Sequence, residues 1–73
     1  MCGIVGYVGR QDVVPILLNG LKRLEYRGYD SAGLAVINQE GLHIHKQVGK
    51  IGKLQDSIDV ECLKATMGIG HTR

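Results

Sequence analysis

Asp12-Val13-Val14-Pro15-Ile16-Leu17-Leu18-Asn19-Gly20-Leu21-Lys22-Arg23-Leu24-Glu25-Tyr26 is the stretch that decides the fold. Val14, Leu17, Leu18, Leu21 and Leu24 recur at the spacing of one helical face, with Lys22, Arg23 and Glu25 off it. Asp12 is placed to cap the first turn, and Pro15 falls inside that turn, where its missing N–H costs no hydrogen bond. Gly28 offers a C-terminal stop. The spacing predicts a helix over about 13–26 whose single apolar stripe must lie on another layer.

The flanking segments read as that layer. Residues 3–9, Gly-Ile-Val-Gly-Tyr-Val-Gly, are short and β-branched, and apolar groups on both faces predict an interior strand. Beyond the tight connection Tyr29-Asp30-Ser31, residues 32–37 form a second apolar strand, and Asn38-Gln39-Glu40-Gly41 is a hairpin turn. Residues 42–48 then alternate, with Leu42, Ile44 and Val48 on one face and His43, His45 and Gln47 on the other, so a half-buried strand with an exposed polar face is expected. Ile51, Leu54 and Ile58 are spaced for a short second helix, and residues 66–71 for a last strand. The order strand, helix, hairpin, helix, strand predicts an α+β fold with helices on a largely antiparallel sheet.

Composition sets limits on function. The 73 residues hold 9 Lys and Arg against 7 Asp and Glu, so a net charge of +2 gives no electrostatic case for a nucleic-acid or anionic-membrane partner. No apolar run approaches the ~20 residues of a membrane span, and no charged leader precedes a cleavage site. Cys2 and Cys62 form no C-x-x-C pair, and two reduced thiols in a cytoplasmic protein is the expectation. Eleven Gly, three Tyr and no Trp or Phe leave little ring area for a core, which points to a piece of a larger domain.

Three segments hold residue types suited to chemistry. If Met1 is removed, Cys2 carries both a thiol and a free α-amine, with reference pKa values of ~8.5 and ~7.7–8.0. Proton transfer between them costs little, so the amine can act as general base for its own sulfur without a separate triad. With Met1 retained that base is lost. On position alone a small buried hydrophobe is the stronger reading of Cys2. The second segment, Glu25-Tyr26-Arg27-Gly28-Tyr29-Asp30-Ser31-Ala32-Gly33, packs an anion, a cation, two phenols and a hydroxyl between a helix end and a strand start. An ordinary helix C-terminus followed by an Asp–Ser turn accounts for it equally well. In the third, Gly68-Ile69-Gly70-His71-Thr72-Arg73, a strand end delivers an Arg suited to bidentate capture of a carboxylate, against the alternative of a plain surface Arg.

Other patterns carry less. Gly3, Gly6 and Gly9 do not make the dinucleotide fingerprint and fit close packing of a strand. His43 and His45 share a strand face, but no third and fourth metal ligand stands out. Cys62 reads as a core residue.

Taken together, Met1-Cys2-Gly3-Ile4-Val5-Gly6, Tyr26-Arg27-Gly28-Tyr29-Asp30-Ser31-Ala32-Gly33 and His71-Thr72-Arg73 resemble the opening of the glutaminase domain of glutamine–fructose-6-phosphate aminotransferases, which are class II, N-terminal-nucleophile glutamine amidotransferases. The first motif is shared with amidophosphoribosyltransferases and asparagine synthases. The tyrosine-flanked second motif resembles the sugar-phosphate branch.

The resemblance implies part of a four-layer αββα sandwich, with residues 1–73 the first portion of the amidotransferase domain and the sugar-isomerase domains lying elsewhere. It implies that Cys2 attacks the side-chain amide of L-glutamine, that Arg73 binds the α-carboxylate and that Arg27 supports the nucleophile. Ammonia then converts fructose 6-phosphate to glucosamine 6-phosphate in a cytoplasmic, homodimeric enzyme with no cofactor or metal. In the family a Trp-Ala-Thr-His-Gly stretch follows the Arg, and an oxyanion-hole Asn-Gly and an Asp for the substrate amine come later; none is within these residues. Since one oxyanion-hole donor is worth ~10²–10³ in rate, the 73 residues alone are expected to be nearly inactive. The alternatives are another class II amidotransferase with a different acceptor, and a non-catalytic α+β module.

Overall fold

The apolar stripe forms helix α1, Val13–Leu24, in a computed structural model that describes residues 3–24, 31–59 and 63–73. Asp12 caps it, its Oδ1 accepting the Val14 N–H at 3.4 Å. Val13, Val14, Leu17, Leu18 and Leu21 are buried, and Leu24 is partly buried at the helix end. The expected continuation to residue 26 and the stop at Gly28 lie outside the described residues.

Four strands accompany it: β1 (Gly3–Val8), β2 (Ser31–Asn38), β3 (Gly41–Val48) and β4 (Met67–Thr72), with a short helix α2 (Ile51–Ser57) between the last two. They form one antiparallel sheet in the order β1-β4-β2-β3. The β2–β3 hairpin turns at Gln39-Glu40, where Asn38 Oδ1 accepts the Glu40 N–H at 2.8 Å. The α+β architecture expected from the element order is therefore present.

Two expectations are corrected. β1 is an edge strand of the described sheet, not an interior one. Its two apolar faces have another cause: Val5 and Tyr7 pack on the core beneath α1, while Ile4 and Val8 lie on the opposite face, 79% and 78% exposed. Apolar character on both faces of a strand reports what lies above and below it, not how many strands flank it. In β3 the faces are reversed from expectation. Leu42, Ile44 and Val48 are exposed, whereas His43, His45 and Gln47 are half-buried. The register sets this, because Ala35 pairs with Ile44 and Ile37 with Leu42, which places those side chains away from both helices.

Both helices lie on one face, α1 against β1 and β4 and α2 against β3. Their shared core includes Leu17, Leu21, Leu34, Val36, Ile51 and Leu54. The close approach of α1 to β4 explains part of the glycine content. A Cβ on Gly68 would stand 2.7 Å from both Ala35 O and Val36 Cγ1, and 3.1 Å from Leu17 Cδ1.

The other face has no helix over it among the described residues. Ile4, Val8, Ile37, Leu42, Ile44, Val48, Met67 and Ile69 are all exposed, and cross-strand pairs such as Val8–Met67 and Ile37–Leu42 set them side by side. A contiguous apolar surface of this kind marks a packing face rather than a solvent face.

Candidate active site

The strand register brings the described residues of the three chemistry-bearing segments to one end of the sheet. Gly3, which follows Cys2, pairs with Thr72, which precedes Arg73. On its other side Thr72 pairs with Ala32, which ends the Glu25–Gly33 motif together with Ser31 and Gly33. Ser31 and Arg73 exchange both backbone bonds: the Ser31 N–H donates to Arg73 O at 3.2 Å and the Arg73 N–H to Ser31 O at 2.9 Å. Residues about seventy positions into the chain thus lie beside Gly3, and those about thirty positions in lie one strand further across the sheet.

Cys2 and Arg27, like Tyr26, Tyr29, Asp30 and Cys62, lie outside the described residues. Arg73 is described: its backbone is held by Ser31, its side chain is exposed, and it makes no ion pair among the described residues. As the hydrogen-bonded partner of Ser31, itself opposite the exposed Val48, it stands on the side of the sheet away from the helices. A guanidinium so placed is free to take a carboxylate.

His71 shares that side, two residues before Arg73 in β4 and opposite both Ile4 and Gly33. Its ring occupies the space a Gly33 side chain would fill, with Nε2 2.8 Å from the position of a Cβ there. Lys46 lies on the far side of Gly33. A hollow of about 250 Å³ opens here among Ser31, Lys46, Gln47, Val48 and His71. A larger depression of about 590 Å³ sits at the other end of the same face, lined chiefly by Val8, Ile37, Leu42, Met67 and Ile69. It carries no charged side chain, so its chemistry is that of an apolar seat.

Beneath this end of the sheet, Gly3 is a junction. A Cβ on it would meet Leu24 Cδ1 at 2.6 Å and Thr72 Oγ1 at 3.3 Å. Leu24 ends α1 immediately before the Glu25–Asp30 segment. One residue adjoining each of the three motifs therefore converges on a single point. Sequence reasoning did not single out Gly3, Leu24 or Thr72 as a group, since only the register relates them. No group of three or more His, Cys, Asp or Glu side chains among the described residues is arranged to hold an ion, and His43 Nε2 lies 3.1 Å from Asn38 Oδ1.

Comparison with known proteins finds relatives along the whole chain. All 73 residues align at 60% identity with the glutamine–fructose-6-phosphate aminotransferase of Geobacillus kaustophilus, at 59% with that of Halalkalibacterium halodurans and at 56% with that of Bacillus subtilis. This chain matches the N-terminal part of those aminotransferases. It spans 12% of their length. Among solved structures, the glutamine phosphoribosylpyrophosphate amidotransferase of B. subtilis superposes over the whole chain with a TM-score of 0.84 at 29% identity, the match covering 16% of that enzyme. No family model matches the chain. The resemblance drawn from the Cys2, Tyr26–Gly33 and His71–Arg73 motifs is thereby supported across the entire aminotransferase-like segment, in sequence and in fold. No described helix is long and apolar enough to cross a membrane.

Proposed function

We propose that the chain is the opening portion of a class II glutamine amidotransferase domain that supplies ammonia to fructose 6-phosphate. The observation that carries this reading is the 60% identity over all 73 residues to an aminotransferase of that name. The register supports it by setting Gly3 and Arg73 at one end of the sheet.

In this reading, removal of Met1 frees the α-amine of Cys2, which takes the thiol proton. The sulfur adds to the side-chain amide carbon of L-glutamine, and the C–N bond breaks as the ammonium returns its proton to the leaving nitrogen. Ammonia departs and a γ-glutamyl thioester remains. Water then adds to the thioester, releasing glutamate and restoring the thiol. Arg73 holds the α-carboxylate of glutamine in a charge-assisted pair, and Arg27 supports the nucleophile. In the full-length enzyme the ammonia condenses with the C2 carbonyl of fructose 6-phosphate with loss of water, and isomerisation of the resulting imine moves the carbonyl to C1, giving glucosamine 6-phosphate. A cytoplasmic setting fits thiols without C-x-x-C spacing.

The same reading accounts for the open face. Eight large apolar residues on it are exposed, and the relatives are about eight times longer than this chain. Downstream residues that add a second sheet would cover this face and complete a four-layer αββα sandwich.

A second acceptor class, phosphoribosyl pyrophosphate, is favoured by the solved neighbour's name, but at 29% identity against 60% it ranks behind the sugar phosphate. The test is made on the full-length polypeptide that carries this sequence. Mass spectrometry should find Met1 absent, a glutamine-like diazoketone should label Cys2 alone, and labelled amide nitrogen should reach fructose 6-phosphate. Labelling of Cys62, or transfer only to phosphoribosyl pyrophosphate, would overturn the proposal.

A further inference from the structure

Thr72 is buried, 3% exposed, and stands apart in a core otherwise made of aliphatic side chains among the described residues. A β-branched Val would fit a strand here without placing a hydroxyl out of water. The side chain lies on the helix side of β4 in the row Gly3–Thr72–Ala32, with its Oγ1 3.3 Å from the point a Gly3 Cβ would occupy. Leu24 closes on the same point from the end of α1. Covalent connection does the rest: Gly3 is bonded to Cys2, Thr72 to Arg73, and Leu24 to Glu25, two residues before Arg27.

We infer that Thr72 is a positioning residue for glutamine hydrolysis, its hydroxyl against Gly3 fixing the separation between the nucleophile end of β1 and the Arg73 carboxylate anchor. The inference rests on the amidotransferase reading and adds a residue to it. Thr72 touches no substrate. It acts by setting where one strand end stands relative to the next, and a displacement of about 1 Å at such a point is enough to cost ~10²-fold in rate.

The test uses the full-length enzyme and two reagents for Cys2. A glutamine-like diazoketone needs both the thiol and the carboxylate anchor, whereas iodoacetamide needs the thiol alone. Thr72→Val keeps the shape and removes the hydroxyl. It should lower kcat/KM for glutamine and the diazoketone inactivation rate by about 10- to 100-fold, with iodoacetamide alkylation within about threefold of the parent. Thr72→Ser should recover both glutamine-dependent rates. If Thr72→Val does not fold, Thr72→Ala and Thr72→Ser differ only in the hydroxyl and give the same comparison. Unchanged rates in the variants lacking the hydroxyl, equal slowing with both reagents, or a Ser variant as impaired as they are would each overturn the inference. Glutamine hydrolysis that survives Cys2→Ala would instead remove the amidotransferase reading itself.

Discussion

Gly3 and Thr72 face each other across the β1–β4 ladder, and the space a Gly3 side chain would need is taken by Leu24 Cδ1 at 2.6 Å and Thr72 Oγ1 at 3.3 Å. The start of β1, the end of α1 and the end of β4 approach one another closely there. A methyl group at Gly3 must push one of them aside. Gly3→Ala in the full-length enzyme is expected to cost about 1–3 kcal/mol of stability and to lower glutaminase activity with it. Urea denaturation followed by circular dichroism, paired with a glutamate-release assay, checks both.

Cys2 is the proposed nucleophile, and its own amine the base. Cys2→Ala should abolish glutamine hydrolysis by roughly 10³-fold or more. A variant with Met1 retained should lose activity although its thiol is present, because the base is then part of a peptide bond. Synthesis of glucosamine 6-phosphate from free ammonia should survive in both. Loss of the ammonia-dependent reaction in the Cys2 variants would point to a general folding defect.

Arg73 presents an exposed guanidinium on a backbone pinned to Ser31. If Arg73 holds the α-carboxylate of glutamine as proposed, Arg73→Ala removes a charge-assisted pair worth about 1.5–3 kcal/mol. Its effect should fall on KM for glutamine, by about 10- to 100-fold, with a smaller change in kcat. Arg73→Lys should recover only part, since a point charge does not replace a bidentate fork. A KM unchanged in both variants would remove Arg73 from substrate binding.

Ile44 and Ile69 are both 56% exposed on the open apolar face. If a second sheet covers them, Ile44→Lys in the full-length protein buries an unpaired charge, and a loss of about 3 kcal/mol or more is expected. Lys53→Glu, on the exposed side of α2, should stay within about 0.5 kcal/mol. Equal thermal midpoints for the two variants would show that the face is solvent-exposed in the full-length protein.

Asp12 caps α1 and also pairs with Lys64 at 3.2 Å, where the lysine side chain is 62% exposed. The ion pair is screened by water and contributes little, so the cap dominates. Asp12→Ala should cost about 1 kcal/mol and Lys64→Ala less than about 0.5, measured by chemical denaturation.

What the sequence determined alone was local. The spacing of Val14, Leu17, Leu18 and Leu21 fixes a helix because hydrogen bonds and side-chain neighbours in a helix reach only three or four residues. The Asn38–Gly41 turn fixes the hairpin for the same reason, and the order of motifs around Cys2, Tyr26–Gly33 and Arg73 was enough to point to the family. The tertiary structure decided which strands are neighbours and which face is covered. β4 inserts between β1 and β2, leaving β1 at the edge of the described sheet. The alternation in β3 fixes two faces but cannot say which one meets a helix, and the helices lie on the side of His43 and His45. Pairing between residues this far apart in the chain depends on contacts that no sequence window contains, and that pairing brings Gly3 to Thr72 and Ser31 to Arg73.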